Sequence, residues 1–171
     1  MRRIHFLIII VLVVVLTSVL HNPVSLIVYR LREPYFSYPI HSASKKPIIR
    51  NDAFGDGDFG AKRHNGRSHS GIDIEALLET PVFASKSGIA FRGNVPMGYG
   101  KYVMIYHPDG YQTLYGHLSN WAIVSGEKVA RGKLIGFVGK TGNAANKNIK
   151  PHLHFEIRKH DEPQDPEPIM R

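Results

Sequence analysis

Cysteine is absent from the chain. That rules out disulfide staples, a lipid-modified N-terminal cysteine and any structural zinc site built on thiolates. A His-Glu-x-x-His helix is missing too, so the common zinc-protease motif has no place here. From residue 51 onward no amphipathic helical window of any length is visible, which turns the reading toward strands. Acidic side chains are scarce: 14 against 22 Lys and Arg, a net charge of +8. Such a balance favours anionic neighbours such as phospholipid headgroups or acidic wall polymers, although a solvated basic surface is its commonest source.

What is present begins with Met1-Arg2-Arg3 and then Ile4 to Leu20, 17 residues with only His5, Thr17 and Ser18 as polar members. At about 1.5 Å per residue the run covers roughly 26 Å, the lower limit for a membrane-spanning helix. Val24 to Tyr29 adds a second apolar patch beyond the His21-Asn22-Pro23 break. Ser18-Val19-Leu20-His21 lacks an Ala-x-Ala cleavage pattern, so an uncleaved anchor is expected rather than a removed signal peptide. Arg2 and Arg3 keep the N-terminus inside and send the rest outward, with Arg30 and Arg32 opposing. The expected organisation is therefore an anchor over residues 1–31, a linker over 32–50, a folded domain over 51–160 and a tail over 161–171. The chain would be single-pass in a bacterial inner membrane, its domain in the periplasm or outside. Nucleic acid is excluded as a partner, since an exported domain would not meet it and no aromatic-basic recognition motif appears.

Between residues 51 and 160, Gly and turn residues recur every 8–12 positions. Short β-branched and aromatic runs fill the intervals, among them Tyr102 to Tyr106 and Tyr111 to Tyr115, joined through Pro108-Asp109-Gly110. This pattern predicts an all-β domain, a compact antiparallel sandwich or partly open barrel, with Asp-Gly supplying a hairpin turn. The Gly-rich stretch 51–67 reads as a loop on the rim of a groove. Its Asp56-x-Asp58 lacks the closing Glu of a calcium loop.

Five side chains from three segments carry candidate chemistry. In Pro151 to Ile157, apolar Leu153, Phe155 and Ile157 alternate with His152, His154 and Glu156. Period two sets both imidazoles on one strand face, roughly 7 Å apart, close enough to serve one site. His69 and Asp73 lie where a loop enters a strand, and His117 follows Gly116 at a strand end. Three ligands and an open position make a catalytic zinc site, leaving two imidazoles for proton transfer. Spacing alone does not decide which of His152 and His154 binds metal. His64 and His107 lack such context and read as surface or loop residues.

The ordered motifs His69-Ser-Gly-Ile-Asp73, Gly98-Tyr99-Gly100, Gly110 to Leu118, Gly139-x-Thr141-Gly142 and Pro151-His-Leu-His-Phe-Glu156 resemble the lysostaphin and LytM type of zinc endopeptidase. The resemblance implies a compact antiparallel β-domain with a metal-containing groove, Zn2+ as cofactor and the peptide part of bacterial peptidoglycan as substrate. It implies His69, Asp73 and His154 as zinc ligands and His117 and His152 as the proton-handling pair. Two features depart from the type. Residues 143–150 form a longer, basic loop, and Arg63 stands six residues before His69 where some members carry a tyrosine. Relatives of this fold that have lost ligands regulate other wall hydrolases, so a non-catalytic binding or activating domain is the alternative; here all five positions are filled. A sugar-transport phosphocarrier with paired histidines is a weaker rival, opposed by the N-terminal apolar run. Any wall-synthesis or regulatory partner stays open.

Overall fold

The computed structural model describes residues 23–41, 46–63 and 66–171. The apolar run expected to anchor the chain, Ile4 to Leu20, lies outside the described residues, as does His64. Residues 23–32 are helical and belong to a unit ending at Pro34. Among the described residues no helix is long and apolar enough to cross a membrane.

The second unit, Tyr35–Arg171, is built of strands, as the turn spacing predicts. A small hairpin of β1 (Asn51–Asp52) and β2 (Gly55–Asp56) stands apart. The remaining strands are β3 (Ile72–Glu75), β4 (Pro81–Phe83), β5 (Gly88–Val95), β6 (Gly100–Tyr106), β7 (Tyr111–Trp121), β8 (Glu127–Val129), β9 (Leu134–Val138), β10 (His152–Lys159) and β11 (Glu162–Gln164). All their pairings are antiparallel, and they join into one branched sheet rather than two separately bonded layers. The predicted turn at Pro108-Asp109-Gly110 links β6 to β7, and Gly110 takes the positive φ of 84° that such a turn requires.

Branching happens at the long strand β7. One of its edges pairs with β6; the other pairs with β10 through Tyr111 to Gly116 and with β9 from Leu118 onward. The hand-over falls at His117, whose φ of +61° is rare for a side chain with a Cβ. Its N–H leaves the ladder and donates to the Tyr99 carbonyl at 2.7 Å. Strand β10 has β7 on one edge, and on the other β3 followed by β11. In that register His154 faces Asp73 on one side and Gly116 on the other. A Cβ at Gly116 would stand 3.3 Å from that of His154, so glycine there leaves room for the imidazole.

Alternate residues of the central strands, including Ile72, Ile74, Val103, Ile105, Tyr115, Leu118, Leu153, Phe155 and Ile157, form the core. The opposite face is buried as well where β3 meets β10. Segment 48–57 runs along the free edge of β3, with Arg50 N–H donating to the Asp73 carbonyl at 2.8 Å and Asp73 N–H to that of Gly57 at 2.9 Å. The stretches expected as linker and tail also contribute core. Phe36 and Ile40 are 3% and 7% exposed, and Phe36 bridges to Met170, itself 2% exposed. Periodicity could not foresee this, because isolated apolar residues between Pro, Ser and acidic positions carry no period.

Candidate metal centre

Asp73 sits between core residues Ile72 and Ile74, so period two turns its carboxylate away from the core. His154 answers it from β10. His69 comes from the preceding loop, fixed by its N–H to the Ala61 carbonyl and by its own carbonyl accepting from Gly60, both at 2.9 Å. The structure brings these three together. His69 Nε2 lies 3.0 Å from His154 Nδ1 and 3.1 Å from Asp73 Oδ1, and His154 Nδ1 lies 2.9 Å from the same oxygen. All three residues are buried.

Two imidazoles and one carboxylate are a zinc donor set. Tetrahedral ligands about 2.0–2.2 Å from an ion have donor atoms about 3.3–3.6 Å apart, so the cluster would have to open by a few tenths of an ångström to take one. The outer nitrogens fit as well. His69 Nδ1–H donates to the Asp58 carbonyl and His154 Nε2–H to Glu156 Oε1, both at 2.9 Å. Each ring is thus oriented with its other nitrogen toward the cluster, hydrogen-bonded to Asp73 here and placed to bind a metal once deprotonated, the arrangement that orients metal-binding histidines.

A cage of charges surrounds this triad, and most of it escaped the sequence reading. Asp73 turns Oδ1 to the histidines, while its Oδ2 accepts from Arg50 Nη2 at 2.9 Å and Arg63 Nη2 at 3.1 Å. Burial by itself would raise Asp73, but hydrogen bonds from His154 and His69 hold it well below the ordinary carboxylate range. Glu156 is fully buried; besides His154 it accepts from Ser70 Oγ, from Tyr99 OH at 3.0 Å and from Arg158 Nε at 2.6 Å. Against its burial, His154 and then Arg158 lower Glu156 to about 2. Burial likewise opposes charge on His154, yet Asp73 and Glu156 on either side raise it to about 9. The signal for Glu156 and Arg158 was available, since they continue the polar face of His152 and His154. Arg50 gave none, lying in the expected linker.

His117 and His152 stand beside the triad, their ring centroids 5.0 Å apart. His117 Nδ1–H donates to the Thr141 carbonyl at 2.9 Å and His152 Nδ1–H to that of Lys150 at 2.7 Å. Both tautomers are thereby fixed with Nε2 as the proton acceptor. His152 Nε2 is 3.9 Å from Asp73 Oδ2. Burial, and after it the nearby charge of His154, lowers His117 to about 3, and burial also lowers His152. Both are neutral at pH 7. All five residues line one open groove of about 620 Å³, with Tyr99 stacked on His154 at 5.5 Å between ring centroids. His107, expected as an ordinary surface or loop residue, is instead buried at the β6–β7 turn, with Nδ1–H donating to the Ser87 carbonyl at 2.9 Å and Nε2 meeting the Thr113 hydroxyl at 3.0 Å.

A profile described as peptidase family M23 matches residues 67–166, which is 100 of the 171 residues. The DD-carboxypeptidase/endopeptidase Mpg of Neisseria meningitidis is 46% identical over 104 residues, covering 60% of this chain and 23% of that protein. The peptidoglycan DD-endopeptidase ShyA of Vibrio cholerae is 38% identical over 89 residues, covering 52% of this chain and 20% of that protein. The chain thus matches less than a quarter of the length of either relative. The catalytic domain of the antimicrobial peptidase lysostaphin from Staphylococcus simulans has a TM-score of 0.58 and 32% identity, covering 65% of this chain and 86% of that one.

Proposed function

The chain belongs to peptidase family M23, and from that premise we propose that it is a zinc-dependent endopeptidase hydrolysing peptide cross-links of bacterial peptidoglycan. In this reading it is membrane-anchored through its N-terminal apolar run and faces the cell wall, and the names of its relatives point to bonds between D-residues. His69, Asp73 and His154 are the residues that would hold the zinc. Bound there, zinc supplies Lewis-acid polarisation of the scissile carbonyl and acidifies the attacking water.

The observation that carries the proposal is the pair of neutral imidazoles whose Nδ1–H groups are spent on backbone carbonyls. Each offers a bare Nε2 beside the triad. One takes the proton of the attacking water, and the resulting imidazolium returns it to the leaving amine. The second, its Nε2 equally unprotonated, accepts a hydrogen bond from the attacking water or the leaving amine and holds it in line. His117 is held at its post by a strained backbone, a cost that a role in packing alone would not require. Because all five positions are filled and converge, a purely binding or activating role is the weaker reading.

The test is hydrolysis by the purified full-length chain in detergent. It should solubilise peptidoglycan, stop on chelation and resume with added zinc. Mass spectrometry of fragments from defined cross-linked muropeptides would identify the bond. A correctly folded protein that takes up no zinc and releases no fragment would overturn the enzymatic reading in favour of an adaptor.

A further inference from the structure

Thr141 stands where a hydroxyl usually has a local task. It is the N-cap of a short 3-10 turn, Gly142–Ala145, yet its side chain caps nothing in that turn, although Thr at such a position ordinarily accepts from the first free N–H groups. The hydroxyl serves two strands instead. Thr141 Oγ1 accepts from Lys101 N–H and donates to the Leu118 carbonyl, both at 2.9 Å. Lys101 and Leu118 face each other across β6 and β7, and beyond them the register slips: before the pair Val103 and Tyr115, β6 has Tyr102 alone where β7 has Gly116 and His117. A bulge of this kind bends its strand and re-aims a side chain, and the positive φ of His117 falls in it. The loop is thus tied to the sheet at the residue next to His117. It is tied again by Asn143, whose N–H donates to the Gly98 carbonyl and whose Oδ1 accepts from Gly98 N–H, both at 2.9 Å.

We propose that Thr141 is the positioning residue of His117, its hydroxyl fastening the loop to the bent strand so that its carbonyl stays aimed at the imidazole. The catalytic consequence rests on the peptidase reading above. The carbonyl of Thr141 accepts from His117 Nδ1–H at 2.9 Å, and hydroxyl and carbonyl belong to one residue. A side chain bonded to Lys101 and Leu118 leaves that carbonyl little freedom to turn. Which nitrogen of a neutral imidazole carries the proton is set by the bond the other makes. With Nδ1–H spent on Thr141, Nε2 is the acceptor, as a base for the attacking water requires. The other tautomer would set a lone pair against the Thr141 carbonyl and leave no acceptor at Nε2. A positive φ outside glycine persists only where its surroundings over-determine it. Here the Tyr99 carbonyl takes the backbone N–H of His117 and the Thr141 carbonyl takes its ring.

The experiment uses the full-length zinc-loaded protein in detergent. T141V keeps the shape and removes the hydroxyl, T141S restores it, and T141A is read in parallel in case T141V does not fold. On cross-linked muropeptides, kcat of T141V should fall about 10- to 100-fold, since misplacing a group by about 1 Å can cost about 10²-fold. KM and zinc content should hold, and T141S should recover most of the rate. T113V also strips a buried hydroxyl of two partners, His107 and Tyr115; it should lower stability and leave kcat unchanged. Added to H117N, T141V should lower kcat no further, as expected of a residue that acts through that ring. Independently of turnover, NMR of the histidine ring nitrogens should show His117, assigned by the signal missing in H117N, protonated at Nδ1 in wild type and T141S but not uniformly so in T141V. An unchanged His117 tautomer in T141V, or the same loss of kcat with and without His117, would overturn the role. If the wild type cleaves no muropeptide the peptidase reading fails, while the tautomer comparison still decides the positioning.

Discussion

Two groups of buried histidines sit on this sheet, and they differ in what their nitrogens are left to do. At the β6–β7 turn, His107 uses both nitrogens on protein groups. Its neighbour Lys86 pairs with Asp109 at 2.5 Å and lies 4.7 Å over the Phe36 ring. Along β3 and β10 the same ingredients recur: buried imidazoles, a buried ion pair and an aromatic ring. Yet each of His69, His117 and His152 is held by one backbone carbonyl through Nδ1, leaving Nε2 turned toward the others. Burial and ion pairing are therefore common to structural and chemical sites. What separates them is a convergence of His and Asp donor atoms on a groove, beside which His117 and His152 spend Nδ1 alone on backbone carbonyls.

The comparison can be broken most directly at His154. H154A removes one of three converging donors and leaves Asp73 and Glu156 without the ring between them. Expected are loss of bound zinc, read by atomic absorption, and loss of peptidoglycan hydrolysis to the uncatalysed level. H117N comes next. Asparagine tolerates the left-handed backbone at this position, so the fold and the metal content should persist. Turnover should fall by about 10²- to 10⁴-fold, the usual worth of a general acid–base group. A variant that loses zinc along with turnover would move His117 from proton handling to the ligand set. E156Q follows. It keeps the shape but weakens the acceptor behind His154, so zinc affinity measured against a competing chelator should drop about 10- to 100-fold.

The division of the five residues into triad and pair comes only from the family resemblance; the structure brings His69, Asp73 and His154 together. Strand alternation is local, so a period of two on β10 already sets His152, His154 and Glu156 on one face. The strand character of the domain and the Asp-Gly hairpin were legible for the same reason. The charges around the triad were not. Arg50 reaches Asp73 across 23 residues, and Tyr99 reaches Glu156 across 57; such pairings are set by which strands adjoin. Phe36 and Met170 meet across nearly the whole chain, and neither lies in a periodic run. The strained backbone of His117 follows from β7 changing partners, an event that only the assembled sheet defines.

The smallest expected effect tests the other half of the comparison. H107Q keeps a polar side chain but cannot reproduce the imidazole's reach to the Ser87 carbonyl and the Thr113 hydroxyl at once. One of these buried groups loses its partner, at a cost of about 1–3 kcal/mol. For a domain of this size that lowers the melting temperature by roughly 2–10 °C. Zinc content and turnover at 25 °C should match wild type, since no nitrogen of His107 faces the groove. A melting curve superimposable on wild type together with lost hydrolysis would mean that His107 is coupled to the groove histidines, and that distance from the groove does not mark a purely structural histidine in this fold.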